Sequence, residues 1–328
     1  MTGARGKEAN ASADAHASAD TPTAEVPAFL REQLAAAYDA ATCERVLAGY
    51  EAACARPVTL RANTLKATAD EVAAALDAAG IACERMPWYG DAFVLRGVRE
   101  RAVWELPLYQ EGRVYLQGLS SMLPPLALAP RAGADILDMC AAPGGKTAQI
   151  CALTGGAAHL TACEMNGPRA EKLAHNLQKL GAGNVNIMRV DARRLDDFFR
   201  FDQVLVDAPC TGSGTVRAGD ERAAKRITPQ LLGKVTRSQA QLLDRALTVL
   251  KPGGTLVYST CSVLPQENEE QVVRALARHR DCAPAPVAGT PAGAAGCAKL
   301  PCGLEGALTV CPDGLYEGFF MALIKKAR

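Results

Sequence analysis

The sequence has almost no net charge and no long apolar run, and each absence excludes a class of protein. Its 36 lysines and arginines balance 35 aspartates and glutamates, which leaves a net charge of +1. The chain as a whole is not basic, so a nucleic-acid site would have to be a local patch. No apolar run approaches the roughly 18 residues that a membrane-spanning helix needs. Residues 1–24 lack the apolar stretch of a secretion signal. We expect a cytoplasmic protein with no membrane partner.

Paired metal ligands are also missing, although the chain contains twelve cysteines. The four cysteines nearest the C-terminus form no CxxC pair, and none of the four histidines is spaced to join them. Disulfide frameworks are typical of short secreted chains, which this sequence does not resemble. We therefore expect reduced thiols and no bound metal.

The composition of the chain divides it into three parts. Residues 1–24 are rich in small and polar side chains and are predicted to be a disordered leader. Residues 25–113 mix helical and strand-like patterns, including a helix at 68–79, and are predicted to form a small α+β domain. Residues 114–328 are predicted to form a larger domain. Three short strands are expected in the small domain, at residues 57–63, 81–85 and 93–95.

The larger domain alternates strand and helix patterns, which is typical of an α/β fold with a parallel sheet covered on both faces. A long helix is predicted at 229–250, ended by Pro252 and two glycines. Residues 318–324 read as a last strand. Residues 283–303 are rich in Ala, Gly and Pro, so we expect a mobile loop there. Five further strands are predicted, at residues 135–139, 159–164, 185–190, 203–207 and 255–260.

A glycine-containing loop follows the first of these five strands and precedes a helix. Small residues let backbone amides approach a ligand closely, and a helix N-terminus favours a negative group. A phosphate-binding P-loop would need glycine where Cys140 stands, and a GxGxxG fingerprint is absent. Glu164 nevertheless ends the next strand about 20 residues later, where an acid can accept hydrogen bonds from ribose hydroxyls. A ribose without a cradled phosphate suggests S-adenosylmethionine.

Two acids and two thiols also follow strands of the predicted sheet. Asp191 and Asp207 end the third and fourth strands, and Cys210 and Cys261 follow the fourth and fifth. The carboxyl ends of parallel strands are where open α/β sheets bind ligands. The thiols are therefore candidates for a nucleophile and its helper, although most cysteines act only as small buried apolar residues.

These motifs together resemble the Nop/Sun (RsmB/RsmF-like) family of S-adenosylmethionine-dependent RNA cytosine-5 methyltransferases. The resemblance runs from about residue 27 to the C-terminus. Gly118 departs from the pattern, because many members of the family carry an acidic residue there. The resemblance implies a Rossmann-like class I methyltransferase sheet preceded by a small α+β domain that binds RNA. The matching segments are residues 117–121, 140–147, 207–214, 258–262, 267–269 and 317–320.

The resemblance also implies a role for each candidate residue. Cys261 is the attacking thiolate, Cys210 assists release of the product, Asp207 contacts the base near N3, and Lys146 lies near the ring and favours the thiolate. DNA cytosine-5 methyltransferases instead attack with the cysteine of a Pro-Cys pair, which would be Cys210 here. The resemblance assigns S-adenosylmethionine binding to Cys140, Ala141, Ala142, Pro143, Gly144, Gly145, Lys146, Glu164, Asp191 and Asp207. Arg169 can reach the methionine carboxylate or remain a solvated helix residue.

The implied partner is RNA, with ribosomal RNA ahead of transfer RNA, and we expect a monomer. The basic stretch 217–237 can hold phosphates or form a solvated helix face. Trp88 and Tyr89 can stack a base or pack between domains. Two other functions remain open: a P-loop-like nucleotide hydrolase that uses Lys146 and Thr147, and a non-catalytic RNA-binding assembly factor.

Overall fold

Two sheets organise the protein, and a computed structural model describes them over residues 26–328. The predicted leader at residues 1–24 lies outside the described residues. The strands are β1 Val58–Ala62, β2 Cys83–Met86, β3 Tyr89–Leu95, β4 Val114–Leu116, β5 Asp135–Asp138, β6 His159–Cys163, β7 Asn186–Met188, β8 Phe201–Asp207, β9 Leu250–Thr260, β10 Cys282–Ala285, β11 Leu308–Val310 and β12 Phe319–Lys326. The helices are α1 Ala28–Ala37, α2 Ala40–Ala52, α3 Ala69–Ala78, α4 Glu100–Trp104, α5 Pro107–Gln110, α6 Leu119–Leu128, α7 Gly145–Leu153, α8 Gly167–Lys179, α9 Glu221–Arg226, α10 Pro229–Val249 and α11 Glu269–Arg278.

The small sheet is antiparallel, with the strand order β2-β3-β1-β4. The predicted helix forms as α3, and it begins at a capping box in which the Thr68 and Glu71 side chains bond each other's backbone amides. The three predicted strands form as β1, β2 and β3. Strand β4 pairs with β1, so the sheet continues to Leu116, past the predicted division at residue 113.

The large sheet has the strand order β10-β12-β9-β8-β5-β6-β7, with β11 paired to β12. Strands β5 to β9 run parallel to one another, and β12 runs antiparallel beside β9. The prediction of an α/β Rossmann-like sheet is confirmed, as is the last strand. The chain reverses its direction of winding between β5 and β8, which is the position where such sheets bind ligands.

The prediction of a mobile loop at residues 283–303 is wrong at the start of that range, where β10 forms. Strand β10 pairs with β12 in an antiparallel register that joins Cys282 to Lys326. Proline is tolerated there because β10 is an edge strand and Pro284 need not donate to a further neighbour. Short turns then bury Val287 and Ala292 in the core cluster that includes α6. Pairing with the backbone of β12 therefore gives β10 a regular structure that the composition of this segment does not indicate.

The core lies on both faces of the large sheet. Ile136 and Leu205 belong to the cluster that holds α6, α7 and α8, whereas Leu137, Val204 and Val206 pack with α10 on the other face. Successive strand residues point to opposite faces, and both faces are covered. This explains why the strands read as continuous apolar runs rather than alternating ones.

The N-terminal part of the chain is fixed against the large sheet at two places. The Asn63 side-chain amide donates to the carbonyl oxygen of Leu180 at 2.7 Å, and the Lys66 ammonium donates to that of Lys179 at 2.7 Å. Both contacts satisfy carbonyl groups at the end of α8. Helices α1 and α2 share a core cluster with Val263 and Leu264, which follow β9. None of the helices between residues 26 and 328 is long and apolar enough to cross a membrane.

Candidate active site

The predicted site residues converge at the carboxyl edge of the large sheet. Strands β5, β6, β8 and β9 are neighbours and run in the same direction, so the loops that follow them meet. These loops carry the glycine-containing segment, Glu164, Cys210 and Cys261. Asp207 is paired in register with Ser259, which places the two thiol loops side by side.

The two thiols are in direct contact. The Sγ atoms of Cys210 and Cys261 lie 2.8 Å apart, and both cysteines are half-buried free thiols. The hydrogen bond to Cys261, together with burial, raises the pKa of Cys210 well above its usual range. The raised pKa favours the thiol form of Cys210, and either sulfur atom can be the donor in the contact between the two cysteines.

A close backbone contact fixes the loop that carries Cys210. The Gly214 amide donates to the carbonyl oxygen of Cys261 at 3.0 Å, and the Gly318 amide donates to that of Gly214 at 2.8 Å. A Cβ atom on Gly214 would lie 1.9 Å from the carbonyl oxygen of Gly318. Only glycine permits this approach, so the segment before β12 and the two thiol loops form one unit.

Lys146 and Asp207 form an ion pair beside the thiols. The Lys146 Nζ atom lies 2.7 Å from Asp207 Oδ2 and 2.8 Å from Ser121 Oγ. The Ser259 hydroxyl donates to Asp207 Oδ1 at 2.8 Å. Burial opposes the charge on Lys146, but attraction to Asp207, with a smaller one to Cys261, raises the pKa of the ammonium. A fixed positive charge therefore faces the thiol pair.

Asp138 binds both ends of the glycine-containing loop through its carboxylate. This carboxyl is fully buried, accepts a hydrogen bond from the Thr147 hydroxyl at 2.7 Å, and accepts the Cys140 amide at 3.3 Å. Burial raises the pKa of Asp138 to about 6. A Cβ atom on Gly145 would lie 2.6 Å from the Tyr115 ring, so the start of α7 needs glycine to pack against β4.

Two pockets meet at Cys140. The first, of about 270 Å³, is lined by the Cys140–Pro143 segment, Gly145, Lys146, Asp207 and Glu317. The second, of about 310 Å³, is lined by Glu164, Asp191, Met165 and Val190. Gly144 lines neither of these two pockets; it supports the loop with a positive φ of 109°. The other predicted cofactor residues therefore surround one two-part cleft.

The acids of the second pocket differ in their contacts. The Glu164 side chain is only 3% exposed; its Oε1 atom accepts the Asn166 amide at 2.9 Å, and Arg169 lies 3.3 Å from its Oε2 atom. Arg169 also donates to the Ala142 carbonyl at 3.0 Å, so its guanidinium braces the loop. The hydrogen bond from Arg193 lowers the pKa of Asp191.

Four polar side chains at the site are absent from the predicted set. Ser121 and Ser259 hold the Lys146–Asp207 pair, and Glu267 is a buried acid between the thiol loops. Glu317 fills the space beside Gly118, because a Cβ atom there would lie 3.1 Å from Glu317 Oε2. All four lie in segments that carry the family resemblance, but their contacts depend on folding.

The residues predicted to contact RNA lie in different parts of the structure. Trp88 packs against Tyr89 and Tyr316, with ring centroids 6.1 and 6.4 Å away, beside the main core cluster. Both residues therefore pack the region between the two sheets. In the basic stretch, Lys234 lines the second pocket. Arg217 lies in a different groove, next to the first pocket.

Two family models match this chain. The model described as 16S rRNA methyltransferase RsmB/F matches residues 125–325. The model described as a ferredoxin-like domain of RsmF/B-like methyltransferases matches residues 26–100. The two matched ranges follow the large sheet and the small antiparallel sheet of the structure.

Curated relatives carry the name ribosomal RNA small subunit methyltransferase F. The protein from Shewanella loihica is 35% identical over 284 residues, which is 83% of this chain and 57% of the relative. The protein from Serratia proteamaculans is 36% identical over 285 residues, which is 84% of this chain and 58% of the relative. The chain thus spans a little over half the length of these relatives.

Solved structures share the fold. A methyltransferase homologue from Pyrococcus horikoshii is 30% identical, with a TM-score of 0.74 over 92% of this chain and 100% of the other. NSun6 from Pyrococcus horikoshii with SFG, at 22% identity, has a TM-score of 0.79 over 92% of this chain and 98% of the other. The chain belongs to the RsmB/F (Nop/Sun) family of methyltransferases, as the matched family models, the sheet order and the convergent loops show.

Proposed function

We propose that this protein transfers a methyl group from S-adenosylmethionine to carbon 5 of a cytosine in RNA through a covalent cysteine–cytosine adduct. The observation that carries the proposal is the pair of thiols 2.8 Å apart, beside the Lys146–Asp207 ion pair and a two-part cleft. The names of the curated relatives support ribosomal RNA as the substrate ahead of transfer RNA. Membership of a methyltransferase family supports the choice of methyl donor.

The second pocket fits the nucleoside part of the donor. Glu164 presents a buried carboxylate that can accept hydrogen bonds from two ribose hydroxyls. Met165 and Val190 are 63% and 37% exposed and offer apolar surface for the adenine ring, with Asp191 at its edge. The backbone of Cys140–Pro143 reaches from this pocket to Lys146 and is proposed to hold the methionine part. When bound, S-adenosylmethionine supplies an electrophilic methyl group and leaves as S-adenosylhomocysteine.

The thiols and the ion pair then have defined tasks. Carbon 5 of cytosine is a weak nucleophile, so the Cys261 thiolate adds to carbon 6 and makes carbon 5 electron-rich. Asp207 contacts the ring near N3 and stabilises this form, while Lys146 favours the thiolate. After carbon 5 has gained the methyl group, a base takes the carbon 5 proton, and the electron pair of that C–H bond re-forms the ring double bond and expels the Cys261 thiolate from carbon 6; Cys210, in contact with Cys261, assists this release. The products are 5-methylcytosine, S-adenosylhomocysteine and a proton.

A groove beside the first pocket is proposed to hold the RNA strand. It has a volume of about 370 Å³ and shares Gln117, Gly118 and Glu317 with that pocket. Arg99 and Arg217, both exposed, lie along it. Guanidinium groups on a groove that leads to the reacting centre suit phosphates on either side of a target base. Arg99 belongs to the N-terminal part of the chain, which supports an RNA-binding role for residues 25–113.

The contacts of Lys146 and Thr147 do not favour a nucleotide hydrolase. A P-loop presents its lysine to phosphates and its hydroxyl residue to a metal ion. Here Lys146 is bound to Asp207, and the fully buried Thr147 hydroxyl is bound to Asp138. An assembly factor without activity would not need two thiols in contact at the same edge.

Methyl transfer from labelled S-adenosylmethionine to RNA tests the proposal directly. Purified protein is incubated with small-subunit ribosomal RNA or transfer RNA that lacks its modifications, and bisulfite sequencing maps any 5-methylcytosine. We expect one or a few marked cytosines in ribosomal RNA. Label in another base, or no label in any RNA while S-adenosylmethionine binds, would overturn the proposal.

A further inference from the structure

Glu267 is a fully buried acid that joins the two thiol loops. Its Oε1 atom accepts the Thr211 amide at 2.8 Å and the Gln239 side-chain amide at 3.1 Å. Its Oε2 atom accepts the hydroxyls of Thr211 at 2.5 Å and Ser262 at 2.6 Å. Thr211 follows Cys210 and Ser262 follows Cys261, so one carboxylate holds the residue next to each thiol.

A second set of contacts stiffens the same unit. The Ser213 and Ser262 hydroxyls lie 2.8 Å apart, and the Val263 amide donates to Ser213 Oγ at 3.1 Å. The Tyr258 hydroxyl donates to the Glu267 carbonyl at 2.7 Å, and the Asn268 amide group donates to the Ser262 carbonyl at 3.0 Å. Buried polar groups hold one arrangement strongly when each finds its partners.

We propose that Glu267 is a positioning residue that holds the Cys210 and Cys261 loops at the separation needed for Cys261 to attack and for Cys210 to assist its release. The inference rests on the proposed function and extends it to a residue that lines neither of the two pockets. Four donors converge on this carboxylate, and two of them come from Thr211, the neighbour of Cys210.

The charge of Glu267 also acts on Cys210. The hydrogen bond to Cys261 and burial are the main causes that raise the pKa of Cys210, and the nearby Glu267 carboxylate adds to them. A negative charge beside Cys210 disfavours a second thiolate. Glu267 thus helps to keep Cys210 in its thiol form.

Glu267→Gln tests the positioning role by kinetics. The amide keeps the size of the side chain but turns one acceptor into a donor that faces another donor. We expect kcat for methyl transfer to fall about 100-fold, because a small displacement of reacting groups has an effect of this order. KM for RNA and for S-adenosylmethionine stays within about threefold of the wild-type values. Glu269→Gln, two residues away on α11, is the matched control and should leave kcat unchanged.

A second measurement needs neither RNA nor methyl donor. Initial rates of iodoacetamide labelling of Cys210 and Cys261 are resolved by peptide mass spectrometry across a pH series. In Glu267→Gln, labelling of Cys210 should begin at lower pH than in the wild type, whereas in Glu269→Gln it should not shift. A Glu267→Gln protein with wild-type kcat and an unshifted Cys210 profile would overturn the proposal. If the wild type transfers no methyl group, the proposed function fails, and labelling still decides the role of Glu267.

Two milder variants cover the case in which Glu267→Gln does not fold. Thr211→Val and Ser262→Ala each remove one hydroxyl donor to the carboxylate. Each should lower kcat about tenfold, the effect of losing one hydrogen bond to a charged group. Thermal unfolding and circular dichroism check that each variant is folded. Wild-type kcat in both folded variants would contradict the proposal.

Discussion

The two ends of the cleft are built differently. At the thiol end, Thr211, Ser262 and Glu267 are at most 1% exposed and bond one another. At the other end, Met165 is 63% exposed and Val190 is 37% exposed. The thiol end is thus preorganised by protein contacts, whereas the wall of the second pocket is left for a ligand to cover. Preorganised groups need no rearrangement when the reaction begins.

The acids at the two ends show the same contrast. Burial raises the pKa of Asp138, beneath the first pocket, to about 6. The hydrogen bond from Arg193 lowers the pKa of Asp191, on the more open pocket. Substitutions at the thiol end should therefore change catalysis and stability, and those at the open end should change binding.

The largest effect is expected for Cys261→Ser. A hydroxyl replaces the thiolate, and we expect methyl transfer to fall about 10³-fold or more, with binding of S-adenosylmethionine unchanged. The exposed Cys54 provides the control, since Cys54→Ser should keep wild-type turnover. Turnover in Cys261→Ser near the wild-type rate would remove the distinction between the two ends.

Asp138→Asn should change how stability depends on pH. Folding raises the pKa of Asp138 from 3.8 to about 6, so the folded state holds this proton more tightly than the unfolded chain. That stabilisation is complete below about pH 4 and is lost as the pH rises through about 6. The unfolding free energy of the wild type should therefore fall by about 2 kcal/mol relative to that of Asp138→Asn between pH 4 and 7.

Denaturant unfolding at several pH values measures this shift. Asp191→Asn is the contrasting variant, because the pKa of Asp191 is lowered by Arg193. Its carboxylate stabilises the folded state above a pH of about 4, and this stabilisation is lost at lower pH. The two variants should thus respond to pH in opposite directions. The same direction in both would contradict the assigned environments.

Glu164→Gln should weaken binding of S-adenosylmethionine about 10- to 100-fold, as expected for loss of hydrogen bonds to a buried charge. Isothermal titration calorimetry measures the Kd. Iodoacetamide labelling of Cys261 should be unchanged, because Glu164 belongs to the other pocket. Glu171→Gln on α8 is the control, since Glu171 is exposed. An unaltered Kd in Glu164→Gln would place the ribose elsewhere.

The smallest effect is expected for the RNA groove. Arg99→Gln combined with Arg217→Gln should weaken RNA binding about tenfold at low salt, with kcat at saturating RNA unchanged. Loss of two phosphate contacts should lower the slope of log K against log salt by about 1.4 for a single strand. Arg280→Gln, in the exposed turn between α11 and β10, is the control for loss of a surface arginine outside the groove. An unchanged slope in the double variant would exclude the groove.

Much of the fold followed from local patterns. Strands β5, β6, β8 and β9 were predictable because buried parallel strands read as apolar runs between helices. Their common direction then placed Glu164, Asp207 and both thiols at one edge. Strand β10 was missed because its order comes from pairing with β12, and an Ala- and Pro-rich segment gives no sign of such a partner.

The candidate site was predictable only in part, for a related reason. Asp207 ends β8, Cys210 lies in the loop after β8 and Cys261 follows β9, so their positions depend on local sequence. Ser121 contacts Lys146, 25 positions away, and Glu267 contacts Thr211, 56 positions away. Such contacts leave no periodic pattern in the sequence. Glu317 illustrates the same limit, since only folding brings it beside Gly118.

Trapping of the covalent adduct is the most direct measurement of the proposed chemistry. Cys210→Ala and Cys261→Ala proteins are each incubated with unmodified RNA and S-adenosylmethionine, then separated under denaturing conditions and digested for mass spectrometry. We predict that Cys210→Ala accumulates an RNA adduct linked to Cys261, because attack proceeds and release does not. Cys261→Ala should form none. An adduct linked to Cys210 in the Cys261→Ala protein, with none in Cys210→Ala, would contradict the assignment.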